Sequence, residues 1–282
     1  MTTELTKSNV DLQLIEMWVH GRSPCTQDYY RRSAARFLAH CEKPLAQATL
    51  QDVQSFATTL VDSGLADSSC RSYLAAVKSL LTFGNKLGML QVNVGAALKP
   101  PKAYDVLNER ILSEADVLLM IRLEPSKAYQ LVLRLLYATG MRVSELCSLK
   151  WRNLQERSES GQVSVFGKGS KTRTVLLPQS VWKELMEFKG DSVLDEPVFK
   201  SPRGGGHYTR QHICDVVKEA AQRVGVENAS PHWLRHAHAS HSLERGAPIH
   251  LVQATLGHAS VATTGRYLHA RPTDSSSRYL AL

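Results

Sequence analysis

The chain has 282 residues, enough for two domains with cores of their own, and its 43% hydrophobic and 21% charged residues are those of a folded globular protein. Its 34 Lys and Arg against 26 Asp and Glu leave a net charge of +8 at neutral pH, which favours a polyanionic partner. Glu4, Asp11 and Glu16 interrupt any apolar leader and no run of about eighteen apolar residues occurs, so a cytoplasmic chain with no membrane partner is expected. Five cysteines, at positions 25, 41, 70, 147 and 214, form no C-x-x-C pair, which argues against a disulfide framework and a cysteine zinc site.

From about Val10 to Leu87 four stretches have the apolar spacing of helices: VDLQLIEMWV, TQDYYRRSAARFLAH, LQDVQSFATTLVDSG and SSCRSYLAAVKSLLTFGNKLG. Thr49 with Asp52 three residues on reads as a helix start, and Gly64 as a stop. A small all-helical domain over residues 1–90 is expected. The pattern then fails through VNVGAALKPPKAYDVLNER, where Pro100 and Pro101 forbid a continuous helix, so residues 91–112 read as a linker.

A second domain, over residues 113–282, restarts at Ser113, which caps EADVLLMIRL; a further helix stops at Gly140, and a short one begins beyond Arg142. The runs QVSVF and TRTVLLP about GKGS predict a β-hairpin with Lys168 at its tip. Helices return at VWKELMEF and TRQHICDVVKEAAQRVG, separated by the glycine-rich loop PRGGGHY. The last part reads as three short helices punctuated by Gly246 and Gly257. The expected fold class is therefore mainly α with a small β-hairpin or sheet.

In SPHWLRHAHASH, Ser230 and Pro231 suit a helix start, and His232 and Arg235 three residues apart share one face there, where an imidazole and a guanidinium can contact one phosphate. A metal reading competes, since His232 and His236 stand four apart and nine of the eleven histidines follow residue 206. The zincin pattern needs a Glu between the pair, whereas Trp, Leu and Arg intervene, and a guanidinium repels a cation; no metal is expected, and His236, His238 and His241 read as core or surface residues. Arg142 follows a glycine break, with Glu145 three residues on able to hold it by a charge-assisted bond. Tyr267 is one of nine tyrosines and by itself says nothing.

Taken together and in order, Arg142 in TGMRVSEL, Lys168 in GKGSKTR, His232 and Arg235 in HWLRH, His258 in LGH and Tyr267 nine residues later resemble the tyrosine recombinases, the phage integrase and Xer-type family. The resemblance covers nearly the whole chain. It implies an N-terminal helical, SAM-like core-binding domain and a C-terminal α+β catalytic domain. It further implies a site-specific DNA recombinase that uses no cofactor, forms a 3′-phosphotyrosine at Tyr267 and exchanges strands through a Holliday junction. On that resemblance Arg142, Arg235 and His258 bind the phosphate, His232 assists the tyrosine proton, Lys168 protonates the leaving oxygen and Glu145 orients Arg142, with Lys171 an alternative to Lys168. The implied partners are double-stranded DNA at a recombination site, further protomers in a tetramer on two sites, and a second recombinase or an accessory protein. Tyr279, Leu280 and Leu282 could anchor the tail on a neighbouring protomer. A type IB topoisomerase would use the same residues without partner exchange, and a non-catalytic DNA-binding protein would share the fold.

Overall fold

The computed structural model describes residues 2–98, 107–167, 172–201 and 204–270, with side chains before residue 9 and beyond residue 268 left aside. Lys168, Lys171, the Pro100–Pro101 pair and the tail residues Tyr279, Leu280 and Leu282 lie outside them. The chain divides into two compact units, residues 1–104 and 105–282.

The first unit holds four helices, α1 (Thr2–Val19), α2 (Pro24–Cys41), α3 (Leu50–Asp62) and α4 (Asp67–Lys86). Each expected helical stretch falls on one of them, and two of the stretches run two residues past the observed ends, to Gly64 and Gly88. The start of α3 is a reciprocal cap: the Thr49 backbone N–H donates to Asp52 Oδ2 at 2.6 Å, and the Asp52 N–H returns to Thr49 Oγ1 at 3.3 Å. Gly64 closes the helix region at φ +71°, where a side chain would be strained. One face of each helix converges on Leu14, Phe37, Phe56, Leu74, Val77 and Leu80, with Phe37 and Phe56 edge to face at 5.2 Å. Leu90, just past α4, and Leu98, in the stretch that lacks helical periodicity, are buried in the same core.

The second unit contains α5 (Glu114–Arg122), α6 (Lys127–Thr139), α7 (Val143–Cys147), a three-stranded sheet, α8 (Gln179–Lys189), α9 (Arg210–Gln222), α10 (Pro231–Glu244), α11 (Ile249–Leu256) and α12 (Val261–Ala270). The middle of α6 is almost wholly apolar, and Leu131, Val132, Leu133, Leu135 and Leu136 are all buried in the main core. Ser113 caps α5 by accepting the Asp116 N–H at 3.1 Å. Ser230 occupies the equivalent position before α10 with extended backbone, but its side chain makes no capping bond. Leu107 and Ile111, which the sequence suggests as linker, pack with Ala239, Val252, Leu256 and Tyr267 in a separate buried cluster.

The sheet is antiparallel in the order β1 (Leu154–Arg157), β2 (Ser160–Phe166), β3 (Thr172–Leu177). Val163 pairs with Leu154 on one side and Val175 on the other, so Val163, Val165, Val175 and Leu177 present a buried face. β1 has no signal of its own in NLQER: only Leu154 is buried, and the strand is held by its pairing with β2. Among the described residues no helix is long and apolar enough to cross a membrane.

Gly161 lies on β2 directly beneath the Trp182 ring, where a Cβ would stand 2.0 Å from Trp182 Cε3. Gly161→Ala must push the indole out of its packing and is expected to cost about 1–3 kcal/mol, read as a lower urea midpoint with unchanged m.

Candidate active site

Gly140 ends α6 in the left-handed region at φ +58°, and the chain turns at once into α7 with Arg142 at its cap position. The expected Arg142–Glu145 contact forms twice, from the Arg142 backbone N–H to Glu145 Oε2 at 2.7 Å and from Nη1 to Oε1 at 3.0 Å. Glu145 is buried and also takes a forked pair from Arg173 on β3, at 3.0 and 2.7 Å. Burial alone would raise the Glu145 carboxyl, but the hydrogen bonds and charges of Arg173 and Arg142 outweigh it and hold the group below its ordinary range. Arg173 Nε donates to the Thr255 carbonyl at 2.6 Å, so one side chain ties the hairpin, α7 and the end of α11 together.

Arg235, on α10, is 4% exposed. It is fixed by two carbonyls at helix ends, Gly140 O at 2.5 Å and Leu256 O at 2.7 Å, which uses two of its five N–H donors. Burial, with Arg142 and Arg173 nearby, pulls it down to about 10, so it stays charged at neutral pH. His232, one turn earlier, is pushed down by burial and by the charges of Arg235 and Arg142. Gly257, at φ +67°, ends α11 and delivers His258, whose Nδ1 bonds Thr264 Oγ1 at 2.9 Å. Burial and the same three arginines lower His258 to about 4, leaving a neutral ring.

Tyr267, on α12, is 6% exposed, and its ring is parallel to that of His258 with centroids 6.4 Å apart. Its hydroxyl lies 2.7 Å from Nδ1 of His236. Burial raises its pKa, opposed by Arg235 and Arg266. An open cleft of about 540 Å³ is lined by Arg142, Arg173 and His258, together with Gly167 and Thr172, which flank the segment carrying Lys168 and Lys171.

The structure thus gathers Arg142, Glu145, His232, Arg235, His258 and Tyr267 in one place. Two members escaped sequence reasoning. Arg173 lies in the basic stretch GKGSKTR, and no local signal marks it, because the carboxylate it meets stands 28 residues away. His236 reads as a core or surface histidine, yet it, and not His232, meets the tyrosine hydroxyl; His238 and His241 instead bond the Tyr137 carbonyl and hydroxyl at 2.7 and 2.9 Å. Among the described residues no group of three or more His, Cys, Asp or Glu is arranged to hold a metal ion. What the arrangement offers chemically is a fixed set of guanidinium donors beside a buried phenol, suited to an anion that gains charge during reaction.

A helical first unit, followed by a helical second unit with a small sheet and this cation and tyrosine set, defines a class. The chain belongs to the phage integrase family, whose profile matches residues 109–274, while the N-terminal SAM-like domain of phage integrases matches residues 14–86. Tyrosine recombinase XerC of Xylella fastidiosa (strain M23) is 34% identical over 260 residues, covering 88% of this chain and 87% of the relative. XerC of Xanthomonas campestris pv. campestris (strain B100) is 32% identical over 254 residues, 86% of this chain and 78% of the relative. Among solved structures, a lambda integrase (75–356) dimer bound to a COC' core site shares the fold with a TM-score of 0.76 at 18% identity, covering 95% of this chain and 96% of that one.

His236 and His258, each lowered to about 4, are neutral in the folded protein where the unfolded chain, near 6.5, already binds protons. Their contribution to stability is complete above about pH 6.5 and is lost as pH falls towards 4. Urea midpoints at pH 7 and pH 5 are therefore expected to fall with acidification, and less steeply in His258→Gln.

Proposed function

We propose that this protein is a site-specific DNA recombinase that cuts and rejoins DNA through a 3′-phosphotyrosine at Tyr267 and exchanges strands through a Holliday junction. The observation that carries this reading is the convergence of a buried tyrosine with Arg142, Arg235, His232 and His258 in a chain 34% identical to a XerC recombinase.

A phenol must lose its proton to attack, and the pentacovalent phosphorus it forms carries more charge on the non-bridging oxygens than the diester did. Arg142 and Arg235 are the forked donors for those oxygens, held by Glu145 and by the Gly140 and Leu256 carbonyls, with His258 a further donor. His232 lies within reach of the Arg142 and Arg235 charges and serves the phosphate and proton transfers beside them. Lys168, or Lys171 in its place, protonates the departing 5′-oxygen. Guanidinium charge does the work a metal does elsewhere, and the phosphotyrosine keeps the energy of the broken bond, so neither metal nor ATP is needed. In this reading residues 1–90 form a helical DNA-binding domain, residues 91–112 the linker and residues 113–282 the catalytic domain. Protomers act as a tetramer on two sites in the cytoplasm, with a second recombinase or an accessory protein as a further partner.

The test uses a nicked duplex carrying the site recovered by selecting bound DNA from a random pool. Wild type is expected to leave a denaturation-resistant adduct, and Tyr267→Phe none, with DNA affinity unchanged. Arg235→Lys, which loses the fork, is expected to slow adduct formation by about 10²- to 10³-fold. An adduct that persists in Tyr267→Phe assigns a different nucleophile.

A further inference from the structure

The Tyr267 hydroxyl has one hydrogen-bond partner among the described residues, His236 Nδ1 at 2.7 Å. The two rings are tilted at 44° with centroids 5.7 Å apart, a geometry that brings ring nitrogen and hydroxyl together without stacking. His236 sits one residue after Arg235 on α10, so the helix that fixes the buried guanidinium also fixes this imidazole. His232, on the same helix, has its ring centroid 6.3 Å from that of His236 and is coupled to Arg142 and Arg235.

Taking Tyr267 as the nucleophile, we propose that His236 is a catalytic residue, holding the Tyr267 hydroxyl through Nδ1 and accepting its proton as Oη attacks phosphorus. Of the two directions the bond can take, the phenol O–H is the stronger donor and a neutral imidazole the stronger acceptor. Burial, then the charges of His232, Arg235, Arg110 and Arg266, lowers His236 to about 4, so at neutral pH the ring is neutral and Nδ1 is free to accept while Nε2 carries the hydrogen. The groups facing it are His232 and Arg235 on α10, Arg110 in the turn Asn108–Arg110 that precedes α5, and Arg266 and Tyr267 on α12. The cations among them lose much of their effect on His236 once a phosphate is bound, so the ring gains basicity when the substrate arrives.

In the step itself the Oη–P bond forms as the P–O5′ bond breaks. The electron pair of the broken bond leaves on the 5′-oxygen, which takes a proton from the lysine acid, and the phenolic proton passes to Nδ1, leaving an imidazolium. Rejoining runs the same transfers backwards, and His236 returns the proton to Tyr267.

The test compares full-length wild type, His236→Asn, His236→Ala, Lys168→Ala and Tyr267→Phe in single-turnover cleavage of the nicked selected duplex, with its oxygen or a sulfur at the scissile 5′ position. Asn keeps an acceptor near the Nδ1 position but cannot take a proton, and a thiolate leaves without protonation. Both His236 variants are expected to bind the duplex as wild type does and to cleave about 10²- to 10⁴-fold more slowly. Sulfur should restore Lys168→Ala and leave His236→Asn slow. Between pH 7 and 9 the wild-type rate should stay nearly level, while that of His236→Asn rises about tenfold per pH unit, because its phenol must ionise unaided.

Wild-type cleavage by His236→Asn, its rescue by sulfur, or an unchanged pH profile overturns the proposal. Should His236→Ala fail to fold, the Asn variant decides. In the DNA-free protein, nitrogen NMR is expected to find His236 neutral with Nδ1 unprotonated at pH 7, and an imidazolium there also overturns it. An adduct in Tyr267→Phe instead removes the reading of Tyr267 itself.

Discussion

Arg142, Arg173 and Arg235 stand close enough for the first two to depress the third, and among the described residues the buried carboxylate that meets them is Glu145. Among these four described groups three positive charges face one negative, in a place where burial weakens the screening that water provides. The rest of the site is arranged around that excess. Burial first, and the neighbouring cations after it, push His232, His236 and His258 below the ordinary imidazole value, so at neutral pH they add hydrogen-bonding atoms without adding charge. In the reaction proposed above, a phosphodiester brings one negative charge to this excess and the species formed during attack brings two. On that proposal the electrostatics favour the transition state over the bound substrate, the difference that accelerates a reaction.

The same constraint couples folding to chemistry. Arg235 is tied to carbonyls that end α6 and α11, two helices more than a hundred residues apart in sequence, and Arg173 ties β3 to the end of α11 and to α7. These carbonyls have no intrahelical partner, so a charged donor satisfies them at the same time as they position it. Gly140 is needed for its left-handed backbone and for space, because a Cβ would stand 2.6 Å from Leu256 Cδ2. The second unit's packing therefore sets the site's geometry directly.

Local signals in the sequence were enough for most of the helices and for both hairpin strands. Thr49, Ser113, Gly140 and Gly257 punctuate the chain by rules that act within a few residues, and the Arg142–Glu145 bond spans only three positions. What stayed hidden depends on distant partners. β1 exists because β2 pairs with it, Arg173 reaches a carboxylate 28 residues away, and His236 meets a hydroxyl 31 residues away. His232 and His236 share a helix face by spacing alone, so periodicity offers no way of telling which of them meets Tyr267; the crossing of α10 with α12 decides it.

α12 is ten residues long and places Gly265 near its middle, two positions before Tyr267, with open space where a side chain would be. Glycine there removes about 1 kcal/mol of helix stability relative to alanine, and so short a helix has little of its own in water. The ordered state of this segment is therefore held by what it packs against, through the buried faces of Thr264 and Tyr267. Its melting costs far less than unfolding the unit. The availability of the Tyr267 hydroxyl is then an occupancy rather than a fixed property, and a modest external contact to this one segment shifts it, and the Thr264 bond to His258 with it.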